Sequence, residues 1–185
     1  MWKLMVVAAA LSLGTASTAA LAQQEKKAQT AQQGQKATDA KSFVKQAMVS
    51  NQFEIESSKL ALEKATDPQL QQFAKQMIDE HQAVGKKLKE TLQKAKVEAP
   101  DKQALDQKHE GMIEKLEKAK GSEFNRSYKQ MQVQAHENAV NLFQSYAEGG
   151  DNKQLQQFAA ATLPNLKKHL QQIESIEPQT AARKG

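Results

Sequence analysis

The run DPQLQQFAKQMIDEH, residues 67–81, reads as the opening half of a long helix. Asp67 is an N-cap residue, and Pro68 follows at the first helical position, where its missing amide costs no hydrogen bond. Downstream, NKQLQQFAAATLPNLKKH, residues 152–169, writes LQQFA a second time. In both places the motif opens a helix after a short turn, and a histidine follows on an otherwise apolar stripe. The chain therefore reads as two related helical halves, a pattern that either duplication or shared packing constraints produce.

Working outward from these runs, glycine and proline fall almost only at boundaries, and Ala, Leu, Gln, Glu and Lys dominate, all good helix formers. Five segments carry the 3.6-residue period. They span roughly residues 41–65, 67–96, 101–120, 122–149 and 152–176. The second ends before Pro100, the third stops at Gly121, Ser122 caps the fourth and Gly149-Gly150 closes it. Short loops imply antiparallel neighbours. The expected fold is all-α: a bundle of four long helices arranged as two antiparallel hairpins, with the short third helix as a crossover. Pro164 falls inside the last helix and is expected to bend it.

The flanks differ from this domain. Lys3, the apolar run Leu4–Leu13 and Ala20-Leu21-Ala22 form the pattern of a secretory signal peptide cleaved after Ala22. The apolar run is shorter than the roughly 20 residues a spanning helix needs. The mature chain is thus expected to begin at Gln23, in a bacterial periplasm, with no membrane anchor. Residues 23–40 are polar and rich in Gln, Ala and Lys, too poor in apolar groups to offset their ordering entropy, and read as a flexible leader. Residues 177–185 read as a flexible tail, which leaves residues 41–176 as the helical domain.

Composition excludes several function classes. With no cysteine, there are no disulfides, thiolate metal sites, iron–sulfur clusters or cysteine nucleophiles. The net charge of +5 is spread among glutamates on helical surfaces rather than gathered into a block, and aromatic stacking positions are lacking, which argues against nucleic acid. No G-x-S-x-G or H-E-x-x-H occurs, so hydrolase chemistry has no support.

The four histidines carry the chemistry that remains. His81 lies on a stripe with Met77, Val84 and Leu88; His109 with Leu105, Met112 and Leu116; His136 with Val133, Val140 and Phe143; His169 with Thr162, Leu166 and Ile173. Glu56 lies similarly among Val49, Phe53 and Leu60. Each spacing is three, four or seven, so each polar group shares a face with core residues. At 1.5 Å per residue, Glu56, His81, His136 and His169 sit about 16–28 Å from their turns, so they converge near mid-bundle if the halves overlap. Inward carboxylates and histidines on facing helices are how bundles build metal sites. The candidate ligands are Glu56, His81, Asp106, His109, His136 and His169. Imidazole-rich sites suit zinc, copper, nickel or iron. Occupancy is expected to fall below about pH 6, as protons displace metal from imidazole.

The run FVKQAMVSNQFEIESSKLALEKATDPQLQQFAKQMIDEH, the segment DQKH, the stretch HENAVNLF and the ending QLQQFAAATLPNLKKHL resemble domain-of-unknown-function family 4142. The resemblance covers roughly residues 42–173. It implies an exported bacterial protein with a ferritin-like four-helix bundle and no settled activity. It matches the family's recurrent polar positions at Glu56, Asp79, His81, Asp106, His109, His136, Glu137 and His169. The Glu-x-x-His of di-iron bundles is missing; Asp106-Gln-Lys-His109 is its nearest relative.

The functional reading is an exported bundle that binds or buffers a transition-metal ion (zinc, copper or iron) in envelope stress protection. The alternative is a non-catalytic structural or interaction protein whose polar core holds no metal. A metallo-oxidase is the third class. Whether the chain pairs with itself or with another protein is open.

Overall fold

The computed structural model describes residues 39–100 and 104–177; the signal-peptide call, nearly all of the leader and the tail from residue 178 lie outside them. Among the described residues every regular element is helical: α1 (Ala40–Lys64), α2 (Pro68–Ala95), α3 (Gln107–Lys118), α4 (Gly121–Gly149) and α5 (Lys153–Ser175).

Side-chain caps start four of the five. Asp39 accepts from the Ser42 amide, and Asp106 from the His109 amide. Asp67 Oδ1 accepts from the amides of Gln69 and Leu70; Asn152 Oδ1 accepts from those of Gln154 and Leu155. The repeat thus extends to its caps, at the same offset before each LQQFA. α4 differs from expectation. It begins at Gly121, whose φ of 52° glycine adopts without strain, and Lys120 precedes it with no side-chain cap, so Ser122 does not cap it.

The interior consists of two apolar clusters. One gathers Phe53, Leu70, Phe73, Met77, Leu116, Phe124, Tyr128 and Ile173 among its members. The other includes Phe43, Met48, Leu88, Leu92, Phe143, Tyr146, Leu155 and Phe158. In the second, Phe43 stacks on Tyr146 with ring centroids 4.0 Å apart and meets Phe143 edge-on at 5.2 Å, geometries aromatic pairs prefer. The two LQQFA copies anchor opposite clusters: Leu70, Phe73 and Ala74 in one, Leu155, Phe158 and Ala159 in the other.

Each long helix passes from one cluster to the other. α1 and α5 run from the second cluster to the first, and α2 and α4 run the opposite way. α1 packs on α2 and α4, and α5 packs on α4 and α2. The short α3 covers part of α1 and α4, with Leu116 buried in the first cluster. Lys64 at the end of α1 donates to the carbonyls of Leu116 and Glu117, which are among the last four of α3 and have no partner within that helix.

The residue at which each long helix leaves one cluster for the other is polar: Asn51 on α1, His81 on α2, His136 on α4 and His169 on α5. All four are buried. Glu54, Ser57 and Ser58 on α1 and Gln132 on α4 are buried beside them. A polar layer therefore divides the apolar core.

Candidate metal centre

Within this layer His81, His136 and His169 converge. Their ring centroids are 5.9 Å (His81–His136), 5.8 Å (His81–His169) and 5.4 Å (His136–His169) apart. One ring nitrogen from each lies within 4.8 Å of the other two.

Every ring is fixed from behind by an oxygen. His81 Nδ1 lies 3.1 Å from Asn51 Oδ1, His136 Nδ1 lies 2.9 Å from the Gln132 carbonyl oxygen, and His169 Nε2 lies 2.8 Å from Glu80 Oε2. A carbonyl or carboxylate oxygen only accepts, so each of these nitrogens carries the proton and donates it. The remaining nitrogens, His81 Nε2, His136 Nε2 and His169 Nδ1, are buried and have no hydrogen-bond partner. Three lone pairs are left buried, where an unmet polar atom is costly. Nitrogen behind, oxygen in support and an open lone pair in front is the arrangement of metal-binding histidines.

The electrostatics keep the imidazoles neutral. Burial lowers all three histidines below their ordinary value, His136 to about 4. For His81, charge on His136 and His169 adds to the effect. For His169 the Glu80 carboxylate pulls the other way without prevailing. Burial tends to raise Glu80, but hydrogen bonds from Gln76 and His169 outweigh it and hold this carboxylate below its usual range.

Glu54 is the buried carboxyl of the layer. Desolvation pushes it up to about 8, with the Gln132 amide pulling weakly downward, so it is neutral at pH 7. Its Oε1 lies 3.7 Å from His136 Nδ1, and neither oxygen has a hydrogen-bond partner. Beyond it, Gln132 Nε2 donates to Ser57 Oγ at 3.0 Å, and Ser58 Oγ pairs with Tyr128 Oη at 2.9 Å.

The remaining sequence candidates lie apart. Glu56 is half-buried and accepts from Gln52 Nε2 at 2.7 Å, one turn away on its own helix. The carboxyl that α1 directs into the bundle is Glu54. Asp106 and His109 form a local pair at 2.6 Å at the start of α3, where His109 also packs on Phe53 at 5.2 Å. They belong to the α3 cap, and the group that gathers the three histidines includes neither. Of the other positions the resemblance singled out, Asp79 and Glu137 are exposed.

Besides Glu80 and Glu54, two further contributors escaped the sequence reading. Asn51 orients His81, and Gly85 makes room for Asn51, since a Cβ at Gly85 would lie 3.1 Å from Asn51 Nδ2. A glycine inside a long helix costs about 1 kcal/mol relative to alanine and so signals close packing. That signal was present in the sequence. Asn51→Leu is expected to leave the helices formed and to weaken metal binding about 10–100-fold, the range for removing an orienting partner. A chelator competition titration measures it.

A family model described as "Domain of unknown function (DUF4142)" matches residues 16–176. The chain belongs to this family. No curated protein matches the sequence significantly. Among solved structures, the DUF4142 chain is similar to one described as "CopM in the Cu(II)-bound form", with 20% identity and a TM-score of 0.62 over 74% of this chain and 93% of that one. At that identity the likeness is one of fold, and it agrees with an all-α bundle. No described helix is long and apolar enough to cross a membrane.

Proposed function

We propose that the protein binds one transition-metal ion through His81 Nε2, His136 Nε2 and His169 Nδ1. The observation that carries this reading is that all three histidines have one nitrogen anchored to an oxygen and the other buried and unpartnered, and that one nitrogen of each lies within 4.8 Å of the other two. Copper is the first ion to test. Imidazole nitrogen suits copper, zinc, nickel and iron, and affinity among divalent ions peaks at Cu(II). That a neighbour of similar fold was captured with Cu(II) supports the choice. Glu54 and Glu80 stand behind the ligands rather than among them.

The surrounding architecture in this reading is a ferritin-like bundle. α1–α2 and α4–α5 are its two antiparallel hairpins, and α3 belongs to the crossover between them. The signal-peptide pattern at residues 1–22 supports export to the periplasm, where a buried three-histidine site would sequester or buffer copper.

The test is metal analysis of untagged protein, with competition against a chelator of known affinity. One copper per chain, retained against the chelator, is the expected result; sub-stoichiometric, readily stripped metal contradicts it. In the latter case the polar layer serves helix register alone.

The depressed histidines also correct the expected pH dependence. Because the ligands resist protonation in the fold, protons compete for them only at lower pH than for exposed imidazole. Metal loss is expected at lower pH than for exposed imidazoles of the same metal affinity. Equilibrium dialysis across pH 4–7 measures it.

A further inference from the structure

We propose that the ion enters and leaves this site through the cleft between α2 and α5, with Glu80 as the carboxylate that captures it at the mouth. The inference rests on the metal-binding reading above and concerns the route, which that reading leaves open. A cavity of about 220 Å³ lies in this cleft, and its walls include two of the three candidate ligands, His81 and His169. Three other cavities, in the α3–α4 groove, among α1, α3 and α4, and between α1 and α2, touch none of the three. The α2–α5 seam, like the α1–α4 seam, brings fewer residues together than the α1–α2 and α4–α5 seams. Pro164 interrupts the amide ladder of α5 near this level, five residues before His169.

Glu80 bridges solvent and site. Its side chain is 36% exposed, whereas that of His169, 2.8 Å away, is 3% exposed. Glu80 Oε1 accepts from Gln76 Nε2, and Gln76 exchanges two hydrogen bonds with Gln172 of α5, both 3.2 Å long. This amide clasp closes the cleft on one side of Glu80, and the cavity lined by Ala83, Ala161 and Asn165 opens on the other. A cation arriving from solvent meets an ionised carboxylate already in contact with a ligand histidine. From there the cavity leads it to His81 and His169, whose free nitrogens face the site.

The experiment follows Cu(II) uptake by the full chain in stopped flow, through growth of the visible copper absorption, and release to excess chelator. Asn165→Phe and Ala83→Phe place bulk at exposed positions on opposite walls of the cleft; Gln134→Phe, in the groove between α3 and α4, is the control. Each cleft variant is expected to slow uptake and release together by at least about tenfold while leaving the equilibrium constant within about twofold, the behaviour of a blocked path rather than a damaged site. Gln134→Phe is expected to match the parent chain. Glu80→Gln is expected to slow uptake and to weaken its dependence on salt, because a steering charge is lost. Parent-like uptake in both cleft variants overturns the route, as does a lowered affinity with unchanged uptake. Parent-like uptake in Glu80→Gln overturns the role of Glu80. Failure of the parent chain to bind copper at all overturns the metal-binding reading itself, so the two failures are told apart.

Discussion

His136→Ala is expected to abolish stoichiometric copper binding, with an affinity loss well beyond the 10–100-fold typical of orienting partners. The change removes one of three donors, and the nearest unpartnered group, the Glu54 carboxyl, is held protonated by burial and so is a poor replacement ligand. His81→Ala and His169→Ala are expected to do the same. His109→Ala is the informative contrast. His109 shares the sequence pattern of the other three but lies at the α3 cap against Phe53 and Asp106. Its removal is expected to leave binding intact. Isothermal titration with far-UV circular dichroism on each variant separates lost ligation from lost fold. Equal losses from all four substitutions contradict the three-histidine assignment.

The metal-free protein is expected to be most stable near pH 7 and to lose stability on both sides. The acid limb comes from the histidines. Their folded values lie below the unfolded value of about 6.5, so between the two the unfolded chain binds more protons and stability rises with pH. The alkaline limb comes from Glu54. Its folded value of about 8 exceeds the unfolded value of 4.5, so in that window the folded chain binds the extra proton and stability falls as pH rises. Below pH 6.5 three histidines outweigh one carboxyl. From about pH 7 the remaining protonation of unfolded histidines fades, the Glu54 effect prevails, and stability falls until Glu54 ionises near pH 8. Glu54→Gln keeps the volume and removes the charge, so it should erase the alkaline limb and be more stable than the parent at pH 8. Urea unfolding of the metal-free protein from pH 5 to 8.5 measures both limbs. A Glu54→Gln profile that still declines above pH 7 counts against the assignment.

Much of the helix plan was legible because it rests on local chemistry. Asp67-Pro68, the pair of LQQFA runs and the Gly149-Gly150 stop each act within one or two turns, and the helices of the structure begin or end beside them. Three of the four histidines were legible as a group because α2, α4 and α5 each bury one stripe, and each histidine lies on it. α1 misled for a physical reason. It packs against α2, α4 and α3, so its buried arc is wide. The line Val49–Phe53–Glu56–Leu60 follows the edge of that arc, where Val49, Glu56 and Leu60 are only half-buried. The centre of the arc passes from Phe43 and Ala47 through Asn51, Glu54 and Ser58 to Ala61. Its middle is polar, so an apolar stripe could not reveal it. His109 misled because periodicity shows which face of a helix is buried but not the level at which that helix sits, and α3 sits at the first cluster rather than at the polar layer.

The most direct measurement is X-ray absorption at the copper edge on protein loaded with one equivalent of Cu(II). The account predicts three imidazole nitrogens at about 2.0 Å, with the outer-shell scattering of histidine rings and no sulfur, and loss of one imidazole in His136→Ala. A shell dominated by carboxylate oxygen or thioether sulfur, or one unchanged in His136→Ala, would contradict it.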